Sequence, residues 1–430
     1  MTEPITYYRK GLGLKAEVQG TLDADYSGRL VDLMREREFE LTAGDTTVRL
    51  AREFGFCYGV ERAVDYAYQA RAKFPGRRVV LVGEIIHNPH VNAKLRAMGV
   101  EILMPVGGEN GSAGHGGAAA GGANPGIASG KAIPRFDYSC IEPDDVVIIP
   151  AFGVAIRDFE TLRGIGCVLV DTTCGSVLNV WKRVERYAKD GFTALIHGKH
   201  YHEETRATAS QVEKYEGGSF LVVRDMSEAK LVCDYIEGRG DRAAFLQRFA
   251  HAASPGFDPD VHLRRIGVAN QTTMLASESL AIAAEVGAAM ERAHGSEYRE
   301  ANFRSFDTIC SATQERQDAV KELLEEPLDV MVVVGGYNSS NTMSLAAICA
   351  EKVSTYHVED ATCLDPERGT IRHKLAGKAA SGEVETAGWL PSEGPVRVGI
   401  TAGASTPNNK IGEAVARIFA TRGIDPATIE

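Results

Sequence analysis

Three cysteines, Cys57, Cys174 and Cys310, share one local setting: a strand-like run, the cysteine, then a helix-patterned segment. The three stretches read TTVRLAREFGFCYGVERAVDYAYQ, GCVLVDTTCGSVLNVWKRVERYAK and SFDTICSATQERQDAVKELLEE. None of the eight cysteines forms a CxxC pair. A structural zinc site takes four side-chain ligands, commonly at paired spacings. Three thiolates instead suit a [4Fe–4S] cluster with one iron left open. Such an iron can take an oxygen ligand as a Lewis acid while the cluster carries electrons. Zinc, or three buried inert thiols, are the competing readings of the same residues. Cys167, Cys233 and Cys349 lie in apolar runs and read as small hydrophobes.

Each unit repeats two further landmarks. A second strand-like run ends in polar residues at His87, at His202 and Glu204, and at Ser339, Ser340 and Asn341. His87, His202 and Asn341 follow their cysteines by 30, 28 and 31 residues. A third run reaches Phe152, Thr272 and Ser405, at offsets of 95, 98 and 95. Imidazole, hydroxyl and amide donors beside Gly-rich turns (GGYNSSN, TAGAS) suit a phosphate or diphosphate, because such turns expose backbone N–H groups. NSSN alone also fits an ordinary turn and helix cap. No Walker A or GxGxxG fingerprint is present, so a nucleotide cofactor has no support.

These residues need elements to hold them. Val60, Ala63, Val64, Ala67 and Tyr68 follow Cys57 at helical spacing, as do Val177, Val180, Trp181, Val184 and Ala188 after Cys174. Ala319, Val320, Leu323 and Leu324 do so after Cys310. Strands alternating with helices predict parallel sheets, with ligands at the carboxyl ends of the strands. The repeat thus predicts three homologous α/β domains over 46–156, 163–290 and 300–420, in pseudo-threefold arrangement around one centre. Residues 1–45 form an N-terminal extension with one modest helical stretch, SGRLVDLMRERE. Residues 107–131, rich in Gly, Ala and Ser, read as a flexible insertion in the first domain. A net charge of −11 without a basic run argues against nucleic-acid or membrane-surface binding. No signal-peptide pattern or apolar span appears, so a cytoplasmic protein with reduced thiols is expected.

The motifs GFCYGVERA, GEIIHNP, DTTC, HGKHYHEETRATAS, ANQTTM, ICSATQERQ, GGYNSSNT and TAGASTP occur in an order that resembles the 4-hydroxy-3-methylbut-2-enyl diphosphate reductases. The resemblance spans residues 46–415, and HGKHYHEET and PAFG look like the plant and cyanobacterial branch. It implies a trefoil of α/β domains around a [4Fe–4S] cluster held by Cys57, Cys174 and Cys310. It implies that His87, His202, Ser339, Ser340, Asn341 and Ser405 hold the diphosphate. Glu204 would donate a proton, and Thr272 would help orient the substrate hydroxyl. The implied reaction takes two electrons from a donor such as ferredoxin or flavodoxin, and two protons. It expels water from an allylic alcohol, giving isopentenyl and dimethylallyl diphosphates. Two positions depart from the pattern: Phe152 stands where many bacterial members have histidine, and Gly175 where proline is usual. His90 and His200 match no role and read as structural. An iron–sulfur hydro-lyase and a zinc-stabilised binding protein are the alternatives.

Overall fold

The computed structural model describes residues 6–106, 135–376 and 382–429. The proposed insertion at 107–131 lies outside them. The chain builds three sheets, each with a parallel four-strand centre. In the first, the order is Val100–Leu103, Val79–Val82, Val146–Ile149, Val168–Asp171. In the second it is Phe220–Val223, Thr193–His197, Ile266–Asn270, Phe303–Ser305. In the third it is Thr355–Val358, Val330–Val334, Val396–Ala402, Thr46–Leu50. Strands such as VVLV, VVII and VMVVV are buried at every position. That is the pattern of parallel sheets covered on both faces.

The phase of the repeat differs from the sequence reading. The strand preceding each cysteine does not open that cysteine's unit; it completes the sheet of the unit before. Val168–Asp171, just ahead of Cys174, belongs to the first sheet, and Phe303–Ser305, ahead of Cys310, to the second. Thr46–Leu50, ahead of Cys57, pairs with Val396–Ile400 in the third sheet and closes the ring. The sheets therefore do not coincide with boundaries drawn at 46, 163 and 300. A tandem repeat has no intrinsic starting point in sequence, so spacing alone cannot say which sheet a boundary strand joins.

The helix after each cysteine covers the next sheet. Ala63, Val64, Ala67 and Tyr68 pack on Leu81 and Ile148 in one core. Val180, Val184 and Ala188 join a second core with Leu195 and Val268. Ala319, Val320, Leu323 and Leu324 pack on Met331 and Val333. Burying one such Val or Leu side chain fully contributes about 1.5–3 kcal/mol.

The N-terminal extension is more ordered than its sequence suggests. It holds two helices, Lys15–Tyr26 and Arg29–Glu36. Gln69 Oε1 accepts the N–H groups of Leu12 and Leu14, both at 3.1 Å, tying the extension to the first unit. Leu30, Val31 and Met34 pack on Ile411, Val415 and Ile418 of the third. Glu40–Ala43 then adds an antiparallel strand beside Thr46–Leu50.

Candidate functional site

Each of the three cysteines is the N-cap of the helix that follows it: Tyr58–Lys73, Gly175–Lys189 and Ser311–Leu323. Each donates its backbone N–H to a carbonyl in the loop after a central strand. Cys57 donates to Ala404 (3.2 Å), Cys174 to Ala151 (2.9 Å) and Cys310 to Thr272 (3.3 Å). The equivalence expected from spacing is therefore an equivalence of hydrogen bonding. A Cβ placed on Gly59 would lie 2.6 Å from the Cys174 sulfur and 3.9 Å from that of Cys57. Glycine is required there by the convergence of the two thiols. The charges of Cys57 and Glu204 both act on Cys310, whose thiol burial pushes up to about 11. Burial raises the Cys57 thiol as well.

Three arginines link the junctions in a ring. Arg62, on the helix after Cys57, donates to the Thr173 carbonyl at 3.4 Å, next to Cys174. Arg183, on the helix after Cys174, lies 3.9 Å from the ring centroid of Phe306, ahead of Cys310. Arg316, on the helix after Cys310, donates to the carbonyls of Gly55 (2.9 Å) and Phe56 (3.2 Å), ahead of Cys57. Each helix thus steadies the approach to the next cysteine.

The polar residues gather at the carboxyl ends of the strands. His87 precedes the Asn88-capped helix Pro89–Ala97, His202 caps Glu203–Ala209, and Ser339 caps Ser340–Ala350. His87 and His202 meet Nε2 to Nε2 at 3.1 Å. His202 Nδ1 accepts the Glu204 N–H, so a neutral His202 carries its proton on Nε2 and donates to His87. His87 then donates from Nδ1 to Glu84 at 2.9 Å. That carboxylate and Glu203 hold the His87 pKa above its ordinary value despite burial. Burial and the neighbouring His87 push His202 well down. Phe152 stacks on His87 with centroids 4.3 Å apart, so the residue that replaces histidine packs against the pair.

The third unit closes on the same place. Ser405 Oγ donates to the His87 carbonyl at 3.2 Å. Asn341 Oδ1 accepts the Ala404 N–H at 2.9 Å, and its buried Nδ2 has no partner among the described residues. Ser339 Oγ accepts the Thr342 N–H, so the capping reading of NSSN also holds. A Cβ on Gly336 would lie 2.5 Å from the His87 carbonyl oxygen, which explains a glycine in this turn.

Glu204 is 2% exposed and Thr272 4%. Glu204 Oε1 accepts the Thr272 N–H at 2.6 Å. Burial raises the Glu204 pKa to about 7, opposed by that hydrogen bond and by His87. A carboxyl titrating near neutrality in a dry pocket is suited to general acid catalysis.

Two contributors escaped the sequence reading. Lys199 Nζ donates to Ser340 Oγ at 3.0 Å. Gln271 Oε1 accepts from Thr205 Oγ1 (3.0 Å) and the Lys199 N–H (3.2 Å), while its amide donates to Ser340 Oγ (3.2 Å). A lysine between His197 and His202 was the available signal for the first. Nothing marks Gln271 beyond its place next to Thr272. His90 packs edge-on against Tyr26, which places it with the N-terminal extension. His87, His202 and Glu203 also bring ligand atoms within 4.8 Å of one another, as a cation site would. Lys199, the Asn341 amide and two helix N-termini favour an anion instead.

Residues 48–419 match the family described as LytB protein. The chain is 46% identical over 419 residues to the 4-hydroxy-3-methylbut-2-enyl diphosphate reductase of Gloeobacter violaceus, covering 97% of this chain and 93% of that one. It is 44% identical over 419 residues to the enzyme of the same name from Thermosynechococcus vestitus, covering 97% and 95%. The fold resembles that of the solved E-1-hydroxy-2-methyl-but-2-enyl-4-diphosphate reductase from Plasmodium falciparum. There the TM-score is 0.58 and the identity 18%, covering 86% of this chain and 87% of that one.

Proposed function

The chain belongs to the LytB protein family, and on that premise we propose that it reductively dehydroxylates 4-hydroxy-3-methylbut-2-enyl diphosphate in the non-mevalonate isoprenoid route. The products are isopentenyl and dimethylallyl diphosphates. Per turnover, two electrons and two protons are consumed, a C–O bond is broken, a C–H bond is formed and water leaves.

Cys57, Cys174 and Cys310 would hold a [4Fe–4S] cluster. Their fit rests on three cysteines at helix N-cap positions, seated by equivalent backbone bonds, with the Cys57 and Cys174 sulfurs both close to Gly59. When bound, such a cluster supplies electrons and one Lewis-acidic metal position. The protein supplies the rest. His87, His202, Ser339, Ser340, Asn341 and Ser405, with Lys199, would anchor the diphosphate at the helix N-termini. Anchoring one end of a small substrate fixes where its hydroxyl lies. Glu204 would deliver the proton that turns hydroxide into water. Thr272 would hold that carboxyl through its N–H and orient the hydroxyl with its side chain.

The observation that carries this reading is the path Glu204–Thr272–Cys310. One residue, Thr272, binds the carboxylate through its N–H and the cysteine N–H through its carbonyl. A proton source and a metal ligand would thereby be held at one place. The test is anaerobic purification with metal analysis, followed by product analysis with and without a reductant. Iron and sulfide, with diene-free reduced diphosphates formed only when reductant is present, are expected. Zinc in place of iron, or product without reductant, would overturn it.

A further inference from the structure

The turn that leads into Ser339, Ser340 and Asn341 reads GGYN. Its partly buried Tyr337 is held by an edge of the third sheet. Beyond Thr355–Val358 that sheet continues through the antiparallel strand Thr370–Lys374 to Glu383–Ala387. The strands equivalent to Thr355–Val358 are Val100–Leu103 and Phe220–Val223. Both are the outermost strands on their side of the sheet among the described residues. Threefold architecture therefore does not demand the added pair.

Three residues of this sheet grip the tyrosine. Its hydroxyl donates to Glu383 Oε1 at 2.8 Å. Lys374 Nζ lies 4.7 Å from its ring centroid. His357 meets the ring edge-on, with centroids 5.1 Å apart and planes at 77°. Glu383 is itself fixed, because Arg372 Nε, diagonally across the antiparallel pair, lies 3.3 Å from the same oxygen. His357 Nε2 also lies 3.0 Å from the Gly335 carbonyl. A carbonyl only accepts, so that nitrogen carries the proton and donates. The other side of the turn has no slack. A Cβ on Gly335 would lie 2.7 Å from Thr406 Oγ1, and one on Gly336 2.5 Å from the His87 carbonyl oxygen. Tyr337 borders one cavity with Ser340, Lys199, His357 and Lys374, so the gripped side chain adjoins the anion pocket.

We infer that Tyr337 is a positioning residue for the diphosphate: clamped by Glu383, Lys374 and His357, it fixes the turn that presents Ser339, Ser340 and Asn341. The inference rests on the anion pocket proposed above. Binding an anion with a loose turn would cost the ordering of that turn, and a turn held in advance avoids the cost. Shifting it would also misplace several donors at once. The strands Thr370–Lys374 and Glu383–Ala387 thereby act as a brace that, among the described residues, only the third sheet carries on this side.

The test uses the iron-loaded full chain under anaerobic conditions. Inorganic pyrophosphate is the binding probe, and viologen-driven turnover of 4-hydroxy-3-methylbut-2-enyl diphosphate is the second readout. Glu383→Ala removes the acceptor of the Tyr337 hydroxyl and also a negative charge near the pocket. Electrostatics alone would tighten an anion. Loss of the brace should instead weaken pyrophosphate binding by about three- to tenfold. Tyr337→Phe should weaken it by a similar factor, and Tyr337→Phe/Glu383→Ala no further, since the same bond is lost in all three. Tyr337→Ala, which loses the ring contacts as well, should weaken it by about tenfold or more. KM should rise with each loss of affinity, while kcat stays within about threefold of wild type. Glu385→Ala, two positions along the same strand, should change neither. A merely structural tyrosine would lower the thermal midpoint and leave pyrophosphate affinity and KM of the folded protein unchanged, and that result overturns the inference. So does tighter pyrophosphate binding in Glu383→Ala, or losses that multiply in the double variant. If Tyr337→Ala fails to fold or to hold iron, Tyr337→Phe and Glu383→Ala decide the matter alone. Absence of pyrophosphate binding in the wild type would overturn the anion pocket itself, and the brace with it.

Discussion

Glu204 and Cys310 are joined through a single residue: Thr272 gives its N–H to the Glu204 carboxylate at 2.6 Å and its carbonyl to the Cys310 N–H at 3.3 Å. Moving either partner moves the other. Glu204 and Cys310 are thus one mechanical unit, although 106 positions separate them in sequence.

Glu204→Gln should keep the fold, the iron and diphosphate binding, and lose turnover by about 10²–10⁴-fold. Anaerobic steady-state kinetics at matched iron content is the measurement. Near wild-type turnover at saturating substrate would remove Glu204 from the mechanism.

The pH dependence follows from the same carboxyl. Its folded pKa of about 7 exceeds the ordinary 4.5. The folded state therefore binds this proton more tightly than the unfolded one. Its stabilising contribution is full below about pH 4.5 and is lost as pH rises through about 7. A shift of this size corresponds to on the order of 3 kcal/mol. In the metal-free protein, Glu204→Gln should accordingly gain stability relative to wild type between pH 5 and 8, read from denaturant midpoints. In the loaded enzyme, wild-type turnover should decline above about pH 7 as the acid form disappears.

Cys→Ser at Cys57, Cys174 or Cys310 should strip iron and abolish activity. Cys167→Ser and Cys349→Ser, both at buried positions within cores, should leave the iron in place at some cost in stability. Iron and sulfide analysis of the five variants decides it. Loss of iron from the second pair alone would reverse the assignment.

Arg316→Ala should loosen the loop before Cys57. The buried guanidinium satisfies the carbonyls of Gly55 and Phe56, and hydrogen bonds to a charged group contribute about 1.5–3 kcal/mol each. A lower thermal midpoint and faster iron loss to a chelator are expected. An unchanged rate of iron loss would show that the ring of arginines is only a packing feature.

Gly336→Ala should raise KM more than it lowers kcat. The added methyl would meet the His87 carbonyl at 2.5 Å and push that loop from the anion pocket, while Glu204 keeps its own bonds. An equal fall in kcat with KM unchanged would contradict this separation.

The repeat was legible because each unit places the same side chain at the same junction, and spacing records that directly. Cys57, Cys174 and Cys310 each occupy the N-cap of a helix, as do His202 and Ser339, while in the first unit Asn88, next to His87, takes that place. What spacing hides is partnership between units. Gln271 looked like a neighbour of Thr272, yet it bonds to Thr205 and Ser340 from two other elements. Lys199 lies in a motif crowded with histidines, and its contacts with Ser340 and Gln271 place it among the polar residues. The helix Lys15–Tyr26 went unread because its apolar residues are sparse: only Val18 and Tyr26 are buried, and Gln69 of another helix secures its start.

The pairing of Thr46–Leu50 with Val396–Ile400 has a consequence for the order of events in the cell. A strand made early, with Glu40–Ala43 beside it, must wait for its second neighbour until synthesis has passed Ile400. Cys57 waits with it, because the carbonyl that holds its N–H belongs to Ala404. A nascent chain halted before that point has Cys174 and Cys310 seated while the first thiol is still unanchored. If the three thiols hold a cluster, its loading would then be contingent on synthesis having passed Ala404.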